Sequence, residues 1–107
     1  MSTVSTHVLD AVTGTPAAGV AVTLTDASGA AVAAAQTDVD GRVGSLAADL
    51  TPGIYRARFD TGSYFATREV TAFYPEVVIA FEISDGDGHY HVPLLLSPFA
   101  YSTYRGS

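Results

Sequence analysis

The chain contains no cysteine. Structural disulfides, thiolate nucleophiles and cysteine-based zinc sites are therefore excluded. The absence fits a reducing compartment, and a cytoplasmic location is the expectation it supports. Lysine is absent too. Arg42, Arg56, Arg58, Arg68 and Arg105 are the only basic residues besides three histidines, and the net charge is −6. An acidic chain without a basic cluster is a poor partner for nucleic acid. No apolar run approaches the roughly 20 residues that span a bilayer. Met1-Ser2-Thr3-Val4 carries no basic stretch ahead of an apolar one, so neither a membrane segment nor a signal peptide is expected. A Gly-x-Ser-x-Gly elbow, a phosphate loop and a dinucleotide fingerprint are also missing.

What is present is apolar. Hydrophobic residues make up 48 % of the chain and charged residues 15 %, which excludes a disordered polymer. A length of 107 residues fits one domain over 1–107. A domain of this size buries roughly 60–70 % of its unfolded surface, so its core is modest and association with copies of itself would help.

Short apolar stretches alternate with turn clusters, the pattern of an all-β domain. Strands are expected at 4–9 and 20–25, where Val20, Val22 and Leu24 share a face. The alanine-rich stretch 30–37 returns as a hairpin partner after Ser28-Gly29. Asp38-Val39-Asp40-Gly41 is turn chemistry. Further strands are expected at 54–59, with Tyr55, Ala57 and Phe59 inward, and at 77–83, which is strongly β-branched. Asp85-Gly86-Asp87-Gly88 reads as a tight hairpin connection to 89–96. Ser97-Pro98 breaks that strand, and 99–105 is the last. The only helix expected is 62–70, about two turns long. Seven or eight strands with turns at this spacing suggest a sandwich.

Side chains alternate faces along a strand. Val4, Thr6 and Val8 then point to the core and Ser5, His7 and Leu9 outward. Likewise Tyr90, Val92, Leu94 and Leu96 point inward, and His89, His91, Pro93 and Leu95 outward. His7 and His91 thus fall on an outer face beside apolar neighbours, which suggests a site built by association. Each is also compatible with an ordinary exposed histidine. A zinc site using His89, His91 and His7 is a second reading that no other feature supports. Asp38–Gly41 and Asp85–Gly88 lack the full ligand ladder of a calcium loop and read as plain turns.

The ends of the chain resemble the transthyretin-like family. The residues that carry the likeness are Ser5-Thr6-His7-Val8-Leu9-Asp10-Ala11-Val12-Thr13-Gly14-Thr15-Pro16-Ala17 near the N-terminus and Ser97-Pro98-Phe99-Ala100-Tyr101-Ser102-Thr103 near the C-terminus. Phe73-Tyr74-Pro75-Glu76 extends the likeness between them. Within the family, three features resemble the hydrolases of 5-hydroxyisourate rather than the thyroid-hormone carriers. They are the terminal Tyr104-Arg105-Gly106-Ser107, the segment His89-Tyr90-His91-Val92-Pro93, and His7 where the carriers have lysine.

The resemblance implies a β-sandwich of two four-stranded sheets with one short helix. It also implies a homotetramer, a dimer of dimers, with active sites in a channel between outer faces. The implied reaction is hydrolytic opening of a ring amide in an oxidised purine, without metal or organic cofactor. His7, Arg42 and His91 are its implied catalytic residues, and His7, Arg42, Tyr104 and Ser107 its implied substrate contacts. Alternation in the last strand favours Tyr104 over Arg105, and which histidine is the base is left open. A non-catalytic carrier of small aromatic ligands in the same channel is the alternative.

Overall fold

The computed structural model describes residues 2–84 and 86–106. Its elements in chain order are β1 (Ser2–Asp10), β2 (Thr15–Pro16), β3 (Ala21–Thr25), β4 (Ala31–Gln36), β5 (Arg42–Leu50), β6 (Gly53–Phe59), α1 (Thr61–Thr67), β7 (Val77–Ile83), β8 (His89–Ser97) and β9 (Ala100–Thr103). One sheet runs β2-β1-β8-β9, with β5 sharing the β2 edge of β1; the other runs β4-β3-β6-β7. The two-residue β2 thus adds a fifth member to one of the two expected four-stranded sheets. Most pairs are antiparallel, but β1 and β8 run parallel, in register from Thr3 opposite His89 to Asp10 opposite Leu96.

The core lies between the sheets and is built by alternation. Val20, Val22 and Leu24 contribute from the second sheet, with Tyr55, Ala57 and Phe59 beside them. Val4, Val8, Tyr90, Leu94 and Leu96 face them from the first, and all are buried. Burying an aliphatic or aromatic side chain of this kind stabilises by about 1.5–3 kcal/mol. The alanine stretch is a strand because β3 pairs with it along Ala21–Thr25. Ala33 and Ala35 lean on the core while their neighbours face outward.

β5 is the element that the sequence pattern hides. Its buried residues are Val43, Leu46 and Leu50, spaced by three and four rather than two. The cause is its pairing with β1. Val4 faces Ala47 and Thr6 faces Val43, so β5 spends extra residues against β1 in bulges. A second departure is the segment 84–88. The expected hairpin there is not one, because β7 and β8 belong to different sheets and the segment crosses between them. Asp85 itself lies outside the described residues.

α1 buries Thr61, Tyr64 and Phe65, a one-sided i, i+3, i+4 stripe. Asp60 caps it: Ser63 donates from its backbone N–H (3.3 Å) and from its hydroxyl (2.8 Å) to the Asp60 carboxylate. The far end closes with Val70 N–H on Phe65 C=O and Glu69 N–H on Ala66 C=O, Glu69 being left-handed at φ 56°. The helical pattern therefore runs on to Val70 although the helix stops at Thr67. The Tyr64 hydroxyl donates to buried Asp10 at 2.8 Å, which ties the helix to the end of β1. Burial, and then Asp10, push that phenol up to about 12. Asp60→Ala removes the cap and is expected to cost about 1 kcal/mol. A thermal melt lowered by roughly 4–8 °C checks it.

Candidate active site

Three adjacent strands, β5, β1 and β8, carry the candidate residues on the face away from the core. In register, Arg42 lies opposite His7, His7 opposite Pro93, and Ser5 opposite His91. Paired residues point to the same side of a sheet. Arg42, His7, Ser5 and His91 therefore converge on one outer patch. Pairing across two strands, one antiparallel and one parallel, turns positions 5, 7, 42 and 91 into neighbours. His89, two residues before His91, joins the same face.

The turn before β5 places Arg42. The Asp38 carboxylate accepts from the backbone N–H of Asp40 (2.9 Å) and of Arg42 (3.0 Å). Gly41 stands at φ 74°, and a Cβ there would collide with the backbone carbonyl of Val8. Only glycine lets the turn press against β1 closely enough for Val8 N–H to reach Gly41 C=O at 2.7 Å. The Arg42 side chain is exposed, and among the described residues no ion pair claims its guanidinium. His7 Nε2 lies 3.0 Å from the Asp40 carbonyl. A carbonyl can only accept, so His7 carries its proton on Nε2, which leaves Nδ1 as the ring's acceptor.

His91 is half-buried. Its Nδ1 lies 2.7 Å from Ser5 Oγ, which leaves Nε2 for a ligand or water. The imidazole is held below the ordinary histidine value, first by burial, then by the charges of Arg42, His7 and His89. Near neutral pH it is therefore a neutral ring with an available lone pair. His89 bridges Thr3 Oγ1 (2.6 Å) and Ser5 Oγ (2.9 Å) with its two ring nitrogens. Both histidines thus spend ring nitrogens on hydroxyls. Among the described residues no group of three or more possible ligands is placed to hold a metal.

The tail docks against His91. Gly106 N–H donates to the His91 carbonyl at 2.9 Å, and a Cβ at Gly106 would strike the His91 ring. β9 ends at Thr103, so strand alternation does not extend to positions 104 and 105 and cannot choose between them. The Arg105 guanidinium lies over the Tyr90 ring, 4.7 Å from its centre, while Tyr104 is 61 % exposed. Tyr104, Arg105 and His91 line a cleft of about 330 Å³ that Phe81 and Glu82 of β7 also border. His7 and Arg42 are not part of that cleft. Tyr104 thus shares a space with His91 but not with the other two, and Ser107 lies outside the described residues.

The sequence pattern assigns Ser5 no role and offers His89 only as a zinc ligand. Alternation did place both outward. The parallel register that puts Ser5 beside His91 leaves no mark in either strand alone.

Residues 4–106 match the model of the HIUase/Transthyretin family. The chain is 46 % identical to the 5-hydroxyisourate hydrolase of Salmonella typhimurium, over 96 % of this chain and 79 % of that one. Its fold superposes on the 5-hydroxyisourate hydrolase of Klebsiella pneumoniae with a TM-score of 0.93, at 42 % identity and full coverage of both chains. Transthyretin from Sparus aurata superposes with a TM-score of 0.90, at 35 % identity over 96 % of this chain and 95 % of that one. The backbone is thus shared by proteins of both names, and the likeness extends from the first strand to the tail that folds onto His91: the chain belongs to the HIUase/Transthyretin family.

Proposed function

We propose that this chain is a 5-hydroxyisourate hydrolase that opens its substrate to 2-oxo-4-hydroxy-4-carboxy-5-ureidoimidazoline in the breakdown of urate. The observation that carries the reading is the meeting of Arg42, His7 and His91 on one outer face, with His91 held neutral. Hydrolysis of a ring amide needs a base for water and a donor for the oxyanion that forms on the carbonyl. His91 Nε2 takes a proton from water as the oxygen adds to the ring carbonyl, with His7 Nδ1 helping to hold that water. Arg42 meets the negative charge that develops, its planar fork matching a planar heterocycle. The tetrahedral centre then collapses and the C–N bond breaks. His91 returns its proton to the departing nitrogen, and the new carboxylic acid ionises. Tyr104 and Ser107, on the tail, complete the substrate's surroundings.

All 107 residues act as one domain in this reading, in the cytoplasm, and the working unit is a homotetramer. Support for assembly comes from apolar side chains left at the surface. Phe73 and Phe99 are 70 % and 66 % exposed, and Phe73, Tyr74 and Tyr101 form an edge-to-face chain beside β9. An apolar cluster of this kind marks an interaction surface. Sedimentation is expected to give about four times 11.1 kDa at micromolar concentration. A fully active 11.1 kDa monomer would refute a site completed between subunits.

The test of the activity is loss of freshly generated 5-hydroxyisourate, followed by absorbance against its spontaneous decay. No acceleration over that background, together with tight binding of a hormone-like aromatic ligand, would replace the hydrolase by a carrier.

A further inference from the structure

We infer that Ser5 and His89 are positioning residues that fix the tautomer of His91: the Ser5 hydroxyl accepts from His91 Nδ1–H, so that Nε2 carries the lone pair that meets water. The inference rests on the hydrolase reading for its purpose but not for its geometry. Thr3, His89, Ser5 and His91 form one unbroken chain of contacts. Thr3 Oγ1 lies 2.6 Å from His89 Nδ1, His89 Nε2 lies 2.9 Å from Ser5 Oγ, and Ser5 Oγ lies 2.7 Å from His91 Nδ1.

A serine hydroxyl has one proton to give and two lone pairs to accept with. Its partners here are two imidazole nitrogens, so its single proton goes to one ring and a lone pair faces the other. If it donates to His89 Nε2, then His91 must donate to it from Nδ1. His89, unprotonated at Nε2, carries its own proton on Nδ1 and donates to Thr3 Oγ1. Every contact in the chain is then satisfied once, and His91 is left with a bare Nε2. The reverse polarity satisfies the chain equally but puts a proton on His91 Nε2, where it could not accept one from water.

The surroundings select the first arrangement. Arg42 from β5 adds positive charge near His91 from outside its own strand. Arg105 and Glu82 border the neighbouring cleft. A ring near a guanidinium is best placed with a lone pair, not an N–H, on its remaining nitrogen. Ser5 is 6 % exposed. Its bond to His91 is therefore shielded from competing water, and the hydroxyl holds the ring as well as its protonation. The nitrogen that does chemistry on a histidine is set by the hydrogen bond the other nitrogen makes.

The measurement is nitrogen-15 NMR of the protein labelled at histidine, at neutral pH and without substrate. Three histidines make assignment by single variants direct. The expected result is His91 protonated at Nδ1 in the native protein. In Ser5→Ala it shifts toward the Nε2–H form that free imidazole side chains favour. Turnover of Ser5→Ala is expected to fall about 10–100-fold in kcat with KM changed less than twofold, by analogy with the loss of a partner that orients a metal-bound histidine. His89→Asn, which leaves Ser5 in place, is expected to lie between the two in both measurements.

A native His91 protonated at Nε2, or a tautomer unchanged in Ser5→Ala, overturns the inference. So does a Ser5→Ala protein with native kcat. Should the native protein itself fail to hydrolyse 5-hydroxyisourate, the activity reading falls while the tautomer result still stands or fails on its own spectra.

Discussion

His91→Asn is expected to lower turnover by a factor on the order of 10²–10⁴, the usual contribution of a positioned acid–base group, and to leave the fold standing. The chemistry and the packing of this residue separate cleanly. Its strand neighbours Tyr90 and Val92 are buried in the core, whereas His91 lies on the opposite face against Ser5 and the Gly106 backbone. Asparagine opens no core cavity there, so the melting temperature is expected to stay close to native. Asparagine can keep a polar contact with Ser5 but cannot exchange a proton near neutral pH.

The pH profile gives the same residue a second signature. A base works only when neutral, so kcat/KM rises as pH climbs through its pKa. Burial, and then the Arg42 guanidinium, hold that value below the ordinary histidine value of 6.5. The acid limb of kcat/KM is therefore expected below pH 6.5 in the native protein and absent from His91→Asn. His89→Asn, on the same face but further from the tail, loses less. If His91→Asn turns over at the native rate, or unfolds while His89→Asn is the inactive variant, the assignment of this strand is wrong.

Much of the architecture is legible in the sequence because the core obeys a period of two. Val20-Val22-Leu24, Tyr55-Ala57-Phe59 and Tyr90-Val92-Leu94-Leu96 announce both their strands and their buried faces. β5 escapes because its bulges stretch the spacing of Val43, Leu46 and Leu50 into something that matches neither strand nor helix. The segment 84–88 misleads for a different reason. Asp-Gly turn chemistry reports a change of direction, and a chain that reverses within a sheet and one that crosses to the facing sheet use the same residues.

The candidate site is legible to the same depth. Alternation places His7, His89 and His91 outward without any knowledge of pairing. What it cannot supply is register. That Arg42 lies opposite His7, and Ser5 opposite His91, depends on an antiparallel pair on one side of β1 and a parallel pair on the other. Where regular structure ends, alternation fails outright. Beyond Thr103 the tail turns back to hydrogen-bond His91, and Tyr104 and Arg105 take positions that no strand rule assigns.

Arg42→Gln is expected to lower kcat by about 10²–10³, the effect of removing a donor aimed at a developing oxyanion. Its side chain is exposed at the start of β5, and the turn that places it is held through backbone N–H groups on the Asp38 carboxylate. The substitution therefore removes the guanidinium without dismantling its platform, and the thermal melt is expected to stay within about 0.5 kcal/mol of native stability. The guanidinium has two effects on the reaction, and they can be told apart. In the proposed mechanism it supplies a fork of donors to the substrate, and its positive charge helps keep His91 neutral. Removing the charge raises the pKa of His91, so the acid limb of kcat/KM moves to higher pH in Arg42→Gln. Arg42→Lys keeps the charge and loses the fork. Its acid limb is expected to stay near the native position while kcat recovers only part of the loss. Steady-state rates across pH for both variants decide it. An Arg42→Gln protein with native kcat would remove Arg42 from the reaction, and a lysine variant with native kcat would show that charge alone suffices.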